Sequence, residues 1–297
     1  MIEKRKSDIA SLTLALVAVA WGTSYAIVKD NLDLVEPMTL MAIRFVASSV
    51  LLTIIYIKRM VKVKKHEIKQ GSVIGIFMFL AYATMVIGLQ YTTASKQSFL
   101  IGAYVVFVPF LAWLINKKRP DRYDGIGAAM AITGLGMLTL GGVSGINIGD
   151  LISLFCSLCY AMHMITIERY CKDTDPIILT IVQLWTGAII FTAMALLTES
   201  HDLSIIQVAP GPVLYLIIVT TVIPFVVQNV AQKYISSTTT ALILTLESVV
   251  GSIFAVVYLG EAMSFVMALG CVIVFAGIII QETKLGFLKK KNIAGGE

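Results

Sequence analysis

The sequence predicts an all-α integral membrane protein whose ten transmembrane helices form two inverted five-helix repeats. Of its 297 residues, 58% are hydrophobic and only 14% are charged, whereas soluble domains carry about 25% charged residues. Apolar runs of about 20 residues, the length that crosses about 30 Å of hydrocarbon, recur along the chain. The second half of the chain also repeats residues of the first half at nearly constant offsets.

The connections between the apolar runs are short and leave no room for a soluble domain. Numbered 1 to 10 in chain order, the predicted spans cover residues 9–29, 37–57, 72–90, 97–115, 124–143, 150–168, 176–197, 210–231, 238–259 and 264–281. The first run follows basic residues and resembles a secretory signal peptide. It continues through WGTSYAIVK, however, so we expect it to be retained as helix 1.

The distribution of basic residues predicts the orientation. With a cytoplasmic N-terminus, all but three of the 23 Lys and Arg residues lie in cytoplasmic segments, the exceptions being Lys29, Arg44 and Lys96. This agrees with the positive-inside rule and predicts a multi-pass cell-membrane protein with both termini in the cytoplasm. The net charge of +5 therefore indicates topology and contact with lipid, not nucleic acid. The sequence leaves the oligomeric state open.

Two stretches reveal the repeat. EPMTLMAIR at 36–44 and DPIILTIVQ at 175–183 share a proline and, seven positions later, a polar residue, at an offset of 139. Farther along, an offset of 143 pairs Tyr91 with Tyr234 and Gly134 with Gly277. The glycines are expected to let helices 5 and 10 pack closely. Because five helices is an odd number, the second half enters the membrane from the opposite side. The predicted units are 1–143 and 144–281, followed by a basic cytoplasmic tail, 282–297.

Several motifs occur in a fixed order between residues 9 and 281. They are AWGTSYAIVK in helix 1, PMTLMAIRF in helix 2, GLQYTTASKQSFL across helices 3 and 4, LCYAMHMITIERY in helix 6, and ISSTTTALILTLESVVGSIFAVVYLGE across helix 9. Together they resemble the drug/metabolite transporter superfamily, in particular EamA-type permeases with two five-helix units. The resemblance implies transport of small metabolites, often amino acids or drugs. Ser248 departs from it, because the family often has proline there, and this leaves a break in helix 9 open.

The expected function is secondary transport. Inverted repeats around a midplane site are a common plan for alternating access, and the chain has no G-x-x-x-x-G-K-[ST] motif for ATP. We therefore expect an exporter of a small metabolite, amino acid or drug-like compound, driven by a proton, ion or substrate gradient. No enzymatic activity, cofactor or metal is expected. The alternatives are a membrane-embedded enzyme and a channel. An enzyme would need clustered acid, base or metal ligands, and a channel would need rings of like charge.

Ionisable residues inside spans are functional candidates, because lipid makes them costly. Trp21 and Tyr25 share one helix face at i, i+4, and the offset of 143 relates Tyr104 to Glu247. The predicted substrate-binding residues are Trp21, Tyr25, Arg44, Tyr82, Gln97, Tyr104, Tyr160, His163, Gln183 and Glu247. Lys29 and Glu168, which are related by the offset of 139, are predicted to be interface or gate charges.

Glu247 lies near the middle of helix 9, where a charge costs about 2.5–3.5 kcal/mol on insertion scales. Four roles are open to it. It is neutral, it pairs with Arg44, it binds a proton or cationic substrate in alternation, or it is a structural carboxyl bonded to a neighbouring backbone. Arg44 is a packing anchor on backbone carbonyls, a side chain that snorkels to the membrane surface, or a substrate ligand. His163 is either a neutral hydrogen-bonded residue or a proton relay.

Overall fold

The computed structural model describes residues 2–117, 119–140, 147–200, 203–260 and 263–283, and within these ranges all regular structure is helical. In chain order the helices are α1 (Ile2–Asn31), α2 (Pro37–Ile55), α3 (Ile57–Met60), α4 (Lys65–Leu89), α5 (Ala94–Gly102), α6 (Tyr104–Asn116), α7 (Arg122–Leu140), α8 (Ile148–Cys171), α9 (Pro176–Thr198), α10 (Ile205–Val208), α11 (Pro210–Ile217), α12 (Ile223–Ala231), α13 (Ser237–Leu244), α14 (Leu246–Leu259) and α15 (Phe265–Thr283). A π-helical turn, Ile218–Val222, joins α11 to α12. Except at their ends, helices satisfy their backbone groups internally, which lipid requires.

Eight helical segments in the described ranges are long and apolar enough to cross a membrane. They are α1, α2, α4, α5 with α6, α8, α9, α11 with α12, and α13 with α14. A shorter apolar helix, Phe265–Ile280, lies within α15. The chain is therefore a multi-pass helical membrane protein. Predicted span 5 corresponds to α7, which is not among the eight, and the predicted unit boundary at 143–144 and the tail from 284 lie outside the described residues.

The two ends of the bundle differ in charge. At one end Arg59 forms an ion pair with Asp175 at 2.7 Å, and Arg59, Lys172 and Lys233 line a single surface depression. Lys6 lies over the ring of Tyr234 at the same end. We call this the basic end. It carries the start of α1, the end of α8 and the start of α13.

The opposite end is closed by contacts between helix termini. Glu199, which follows α9, accepts hydrogen bonds from the backbone N–H groups of Met38 and Thr39 at 2.7 Å each. Those are N–H groups at the start of α2 that have no partner within the helix. Lys96 and Asp150 form a buried ion pair at 2.7 Å between α5 and α8. Both contacts fix which helix ends lie together.

Two membrane-crossing segments are broken near their middles, at Ala103 between α5 and α6 and at Thr245 between α13 and α14. The break that the sequence left open in helix 9 therefore exists, but it lies three residues before Ser248 and involves no proline. Both the backbone N–H and the hydroxyl of Thr245 donate to the carbonyl of Leu242, at 3.1 and 2.5 Å. The same N–H also donates to the carbonyl of Ala241 at 3.1 Å, so the helix tightens locally at Thr245.

Helix packing brings the broken segments to the centre. α1 packs against α14 and α12, α4 against α8 and α9, and α6 against α8. α7 packs along α15, where a Cβ on Gly134 would lie 2.6 Å from the carbonyl oxygen of Gly270. The predicted close approach of helices 5 and 10 through glycine is thus confirmed.

Candidate functional site

Seven buried rings from six different helices meet near the centre of the bundle. We call this set the aromatic cluster; it consists of Trp21, Phe45, Tyr82, Tyr104, Tyr160, His163 and Phe225. Tyr160 contacts four of the others. Its ring lies edge-on to Trp21 at 5.9 Å and stacks on Tyr104 at 5.9 Å. Edge-to-face and offset contacts at such distances are the favourable geometries for aromatic pairs.

Glu247 lies at the edge of the aromatic cluster and is only 2% exposed. Its Oε1 accepts hydrogen bonds from the phenols of Tyr25 at 3.3 Å and Tyr104 at 3.1 Å. Gly22 on α1 allows this approach, since a Cβ there would lie 2.8 Å from the carbonyl oxygen of Glu247. The carboxyl group is therefore held by two neighbouring helices.

The breaks in the two interrupted segments coincide with the site. Tyr104 is the first residue of α6, and Glu247 is the second residue of α14. The N-terminal turn of a helix favours a negative side chain. Discontinuous helices are also the usual way in which membrane proteins expose polar backbone at a midplane site.

Arg44, which is 1% exposed, is anchored on the π-helical turn. Its Nε donates to the Thr221 hydroxyl at 2.5 Å, and its Nη2 donates to the Thr220 carbonyl at 2.9 Å. Trp21 Nε1 donates to the same carbonyl at 2.9 Å. Pro224 explains why that carbonyl is free, because proline lacks the N–H that an uninterrupted helix would direct to position 220.

Arg44 and Glu247 do not form an ion pair, although that was one of the roles the sequence left open. Each has other partners, Arg44 on the π-helical turn and Glu247 on two tyrosines. The Arg44 guanidinium lies 5.1 Å from the centre of the Tyr82 ring, a cation–π distance. Its Nη1 is buried and has no hydrogen-bond partner. The anchor role is thus present, with one donor group left over.

His163 and Gln183 form a second polar pair beside the cluster. His163 Nε2 and Gln183 Oε1 are 3.1 Å apart, and both residues are fully buried. His163 Nδ1 and Gln183 Nε2 have no partner. With Nε2 protonated, Nδ1 is an acceptor and the amide nitrogen a donor. The pair can therefore hydrogen-bond a further polar group.

Of the ten residues predicted from the sequence, nine lie in or against this cluster and Gln97 does not. Gln97 Nε2 donates to the Met85 carbonyl at 2.7 Å and lies 3.3 Å from the Ser153 hydroxyl, between α5, α4 and α8. Its assignment to the substrate site stays a prediction.

Sequence reasoning missed Phe45, Phe225, Thr220 and Thr221. Phe225 could have been found, since it stands 143 positions after Tyr82, and Pro224 inside an apolar run signals a free carbonyl.

Lys29 and Glu168 occupy matching positions at the two ends. Lys29 Nζ donates to the carbonyls of Leu89 and Thr92, at 2.7 Å each, at the opposite end. Glu168 Oε2 accepts from the backbone N–H and the hydroxyl of Ser237, at 2.8 and 2.7 Å, at the basic end. The positive Lys29 thus lies at the C-terminus of α4 and the negative Glu168 at the N-terminus of α13, and each charge is favourable at that kind of helix end. Elsewhere in the described residues no three His, Cys, Asp or Glu side chains are grouped as a metal ion would require.

Comparison with known proteins supports the same class. The profile of the EamA-like transporter family matches twice, over residues 8–140 and 147–281. An uncharacterized transporter of Archaeoglobus fulgidus is 32% identical over 93% of this chain and 86% of its own length. A probable amino-acid metabolite efflux pump of Salmonella typhimurium is 25% identical over 94% of this chain and 97% of its own.

A crystal structure shares the fold. It aligns with a TM-score of 0.75 at 16% identity, over 93% of this chain and 96% of the other. At that identity the likeness concerns the fold alone. Because the family profile covers both halves, this chain is a membrane protein of the EamA-like transporter family, within the drug/metabolite transporter superfamily.

Proposed function

We propose that this chain is a secondary transporter that exports a small metabolite by alternating access, with the aromatic cluster and Glu247 as its substrate site. The observation that carries the proposal is the buried carboxyl of Glu247, which two tyrosines hold at the point where a membrane-crossing helix is broken. Placing an ionisable group at this depth in the membrane is energetically costly, so such a residue is a functional candidate by default.

The proposed architecture has ten spans in two inverted five-helix units, 1–143 and 144–281, and a basic tail, 282–297. Two separate matches to one family profile support it. So does the packing of α7 along α15, which would be the fifth helices of the two units. Both termini and the basic end would face the cytoplasm of the cell membrane, as the positive-inside rule favours.

The proposed substrate is small and amphiphilic, with an amino acid as the first candidate. One relative carries the name of an amino-acid metabolite efflux pump. The unpartnered nitrogens of Arg44 and Gln183 suit a carboxylate, Glu247 suits an ammonium group, and the aromatic rings suit an apolar side chain. A few placed polar groups in apolar surroundings are typical of small-molecule sites.

Glu247 would couple transport to a gradient. Binding a proton and a substrate ammonium at the same carboxyl would be mutually exclusive, so each could displace the other on opposite faces of the membrane. Such an exchange needs no ATP hydrolysis. The energy comes from the proton gradient alone.

The test is flux in proteoliposomes. Purified protein is reconstituted and supplied with radiolabelled aromatic, acidic, basic and small neutral amino acids, with and without an imposed pH gradient. We expect saturable flux of at least one amino acid that the gradient stimulates, and loss of that stimulation in Glu247→Gln. The matched control is Glu67→Gln, which removes a carboxyl that caps α4 at the basic end.

Two results would contradict the proposal. Folded protein that moves no amino acid of the panel above the rate of empty liposomes would remove the function. Flux that rises linearly with concentration and ignores the pH gradient would favour a channel.

A further inference from the structure

The half of the bundle near the basic end contains a group of buried polar side chains that begins at the His163–Gln183 pair and continues beyond the substrate site. Nine buried side-chain nitrogen or oxygen atoms in the described residues have no hydrogen-bond partner. Six of them belong to five residues in this half, His163, Gln183, Gln228, Gln232 and Thr240. Buried polar atoms without partners are rare, and an unseen water or ligand is a common reason for them.

One face of α8 runs beside this group, and Gln232 contacts it directly. Tyr160, Met164 and Glu168 are spaced at i, i+4 and i+8, so they form a row from the aromatic cluster to the basic end. Gln232 Nε2 donates to the Met164 carbonyl at 2.8 Å, and Ser237 donates to Glu168 one turn farther. The row is therefore covered by α12 and by the start of α13.

Gln228 is the most exceptional member. It lies in α12 four residues before Gln232, which caps the end of that helix, is fully buried, and has neither its side-chain nitrogen nor its side-chain oxygen bonded. A glutamine in this state loses the hydrogen bonds that it makes in water and gains none in return, which is destabilising. Gln228 therefore favours a hydrogen-bonding partner from outside the protein.

The first half of the chain has only part of this feature: Gln97, which the offset of 143 relates to Thr240, also has an unpartnered oxygen, but three other related positions are apolar. The offset of 143 relates Gln228, Asn229 and Gln232 to Met85, Val86 and Leu89. All six are buried. The same three positions are thus polar on the way to the basic end and apolar on the way to the opposite end. Packing needs alone would not produce that difference.

We propose that Gln228, Gln232 and Thr240 form a hydrated polar seam that binds uncharged hydrogen-bonding groups. His163 and Gln183 lie at the end of the seam nearer the aromatic cluster. Water fills the seam in this conformation, and the polar part of the transported molecule takes its place on the route between Glu247 and the basic end. The contact of Glu168 with Ser237 closes the seam. The identity of the molecule that moves along the seam rests on the proposed function; the hydration of the seam does not.

Unpaired amides suit neutral groups. Gln228 offers one donor group and one acceptor, and Thr240 offers a hydroxyl that can do either. Between the aromatic cluster and Glu168 the seam residues carry no formal charge. The seam therefore cannot hold a bare ion as tightly as a charged site would. A buried water needs two to four polar partners, and adjacent amides and hydroxyls supply them.

The experiment measures the reaction of single cysteines with Ag⁺, which is small enough to follow a file of water molecules. Cysteines replace Gln228, Gln232 or Thr240 in a protein without its four native cysteines, held in lipid nanodiscs so that both faces are open. The matched controls are Met85→Cys and Leu89→Cys, at the related positions of the first half. Protection from a later alkylation in detergent reports the reaction.

We expect the three seam cysteines to react about tenfold faster than the two controls, because only they contact water. Equal rates at the seam and control positions, in protein that elutes as a single folded species, would overturn the proposal. Hydration and transport are judged separately. A fast reaction in protein that transports no amino acid would retain the seam and remove the proposed function.

A second variant tests the route. Gln228→Met with Gln232→Leu gives the seam the residues of the related positions in the first half, and Gln228→Asn keeps it polar. We expect the double variant to lose most flux of the best amino acid in the panel, while Gln228→Asn retains it. The control Ser157→Ala removes a buried unpartnered hydroxyl outside the seam. Unchanged flux in the folded double variant would overturn the route.

Discussion

The phenol oxygen of Tyr104 lies 3.1 Å from Oε1 of Glu247, and the two residues stand 143 positions apart. That separation is the offset that relates the fourth helices of the two predicted units. Residues at equivalent positions of the repeat thus bond each other across the centre. In the proposed inverted-repeat architecture such a pair would lie near the symmetry axis and could stay in contact while the two halves move.

The first prediction follows from this pair. Glu247→Gln keeps the shape and hydrogen-bonding capacity of the side chain but cannot ionise, so transport should lose its dependence on pH. The other titratable groups of the site, Arg44, His163 and the tyrosines, remain in this variant. Flux measured between pH 5 and 9 gives the answer. An unchanged pH profile in Glu247→Gln would assign Glu247 a structural role.

Tyr104→Phe supplies the control for that experiment. It removes the 3.1 Å hydrogen bond and leaves the carboxyl able to ionise. We expect a weaker affinity for substrate and a retained, though shifted, pH profile. If Tyr104→Phe abolishes the pH profile as completely as Glu247→Gln, the carboxyl alone does not account for the pH dependence and the phenol is required as well.

The second prediction concerns orientation. In a cysteine-free background, Lys58→Cys at the basic end should react with membrane-impermeant thiol reagents only after the cells are opened. Ser200→Cys at the opposite end should react in intact cells. Native Cys171 cannot serve, because it is fully buried with its thiol 3.7 Å from Asn229 Oδ1. The reverse labelling pattern would invert the predicted topology.

Much of this arrangement can be predicted from the sequence, because the spans depend on composition. Apolar runs locate the helices, and the repeat pairs Tyr104 with Glu247 before any coordinates exist. The helix breaks could not be predicted in the same way. Ala103 and Thr245 are neither proline nor glycine, and the local tightening at Thr245 accompanies a bond from its side chain to the carbonyl of Leu242.

The hydrogen-bond partners of Arg44 could not be predicted from the sequence either. Depth alone suggests Glu247 as its partner, since both residues lie inside spans. The actual partners, Thr220 and Thr221, become available because Pro224 frees a carbonyl and the chain forms a π-helical turn. Such a turn depends on tertiary contacts that composition and periodicity do not encode.

The third prediction compares two ion pairs. Lys96 and Asp150 are 2.7 Å apart with side chains only 10% and 4% exposed, whereas Arg59 and Asp175 are 49% and 32% exposed. Removing one partner of a buried pair costs about 3–5 kcal/mol, since it leaves the other charge unpaired. An exposed pair contributes about 0–1 kcal/mol.

Thermal unfolding in detergent therefore should distinguish Lys96→Met from Arg59→Met. We expect a large loss of stability in the first and a change near the error in the second. Double replacement of Lys96 by Met and Asp150 by Asn should recover part of the loss. Equal, small effects at both sites would mean that water reaches the pair at the opposite end.

The fourth prediction tests how Glu247 is positioned. Gly22→Ala adds a Cβ that would lie 2.8 Å from the Glu247 carbonyl and 2.7 Å from Val250 Cβ, so α1 and α14 must separate. Overpacking of this kind costs about 1–3 kcal/mol. Because Tyr25 lies on α1 and Glu247 on α14, separation also lengthens their hydrogen bond. We expect lower thermal stability together with a lower affinity for substrate. The control is Gly136→Ala, whose added Cβ meets no atom within 4 Å and should leave both properties unchanged. Wild-type affinity in a folded Gly22→Ala protein would show that the spacing of α1 and α14 does not set the geometry of the site.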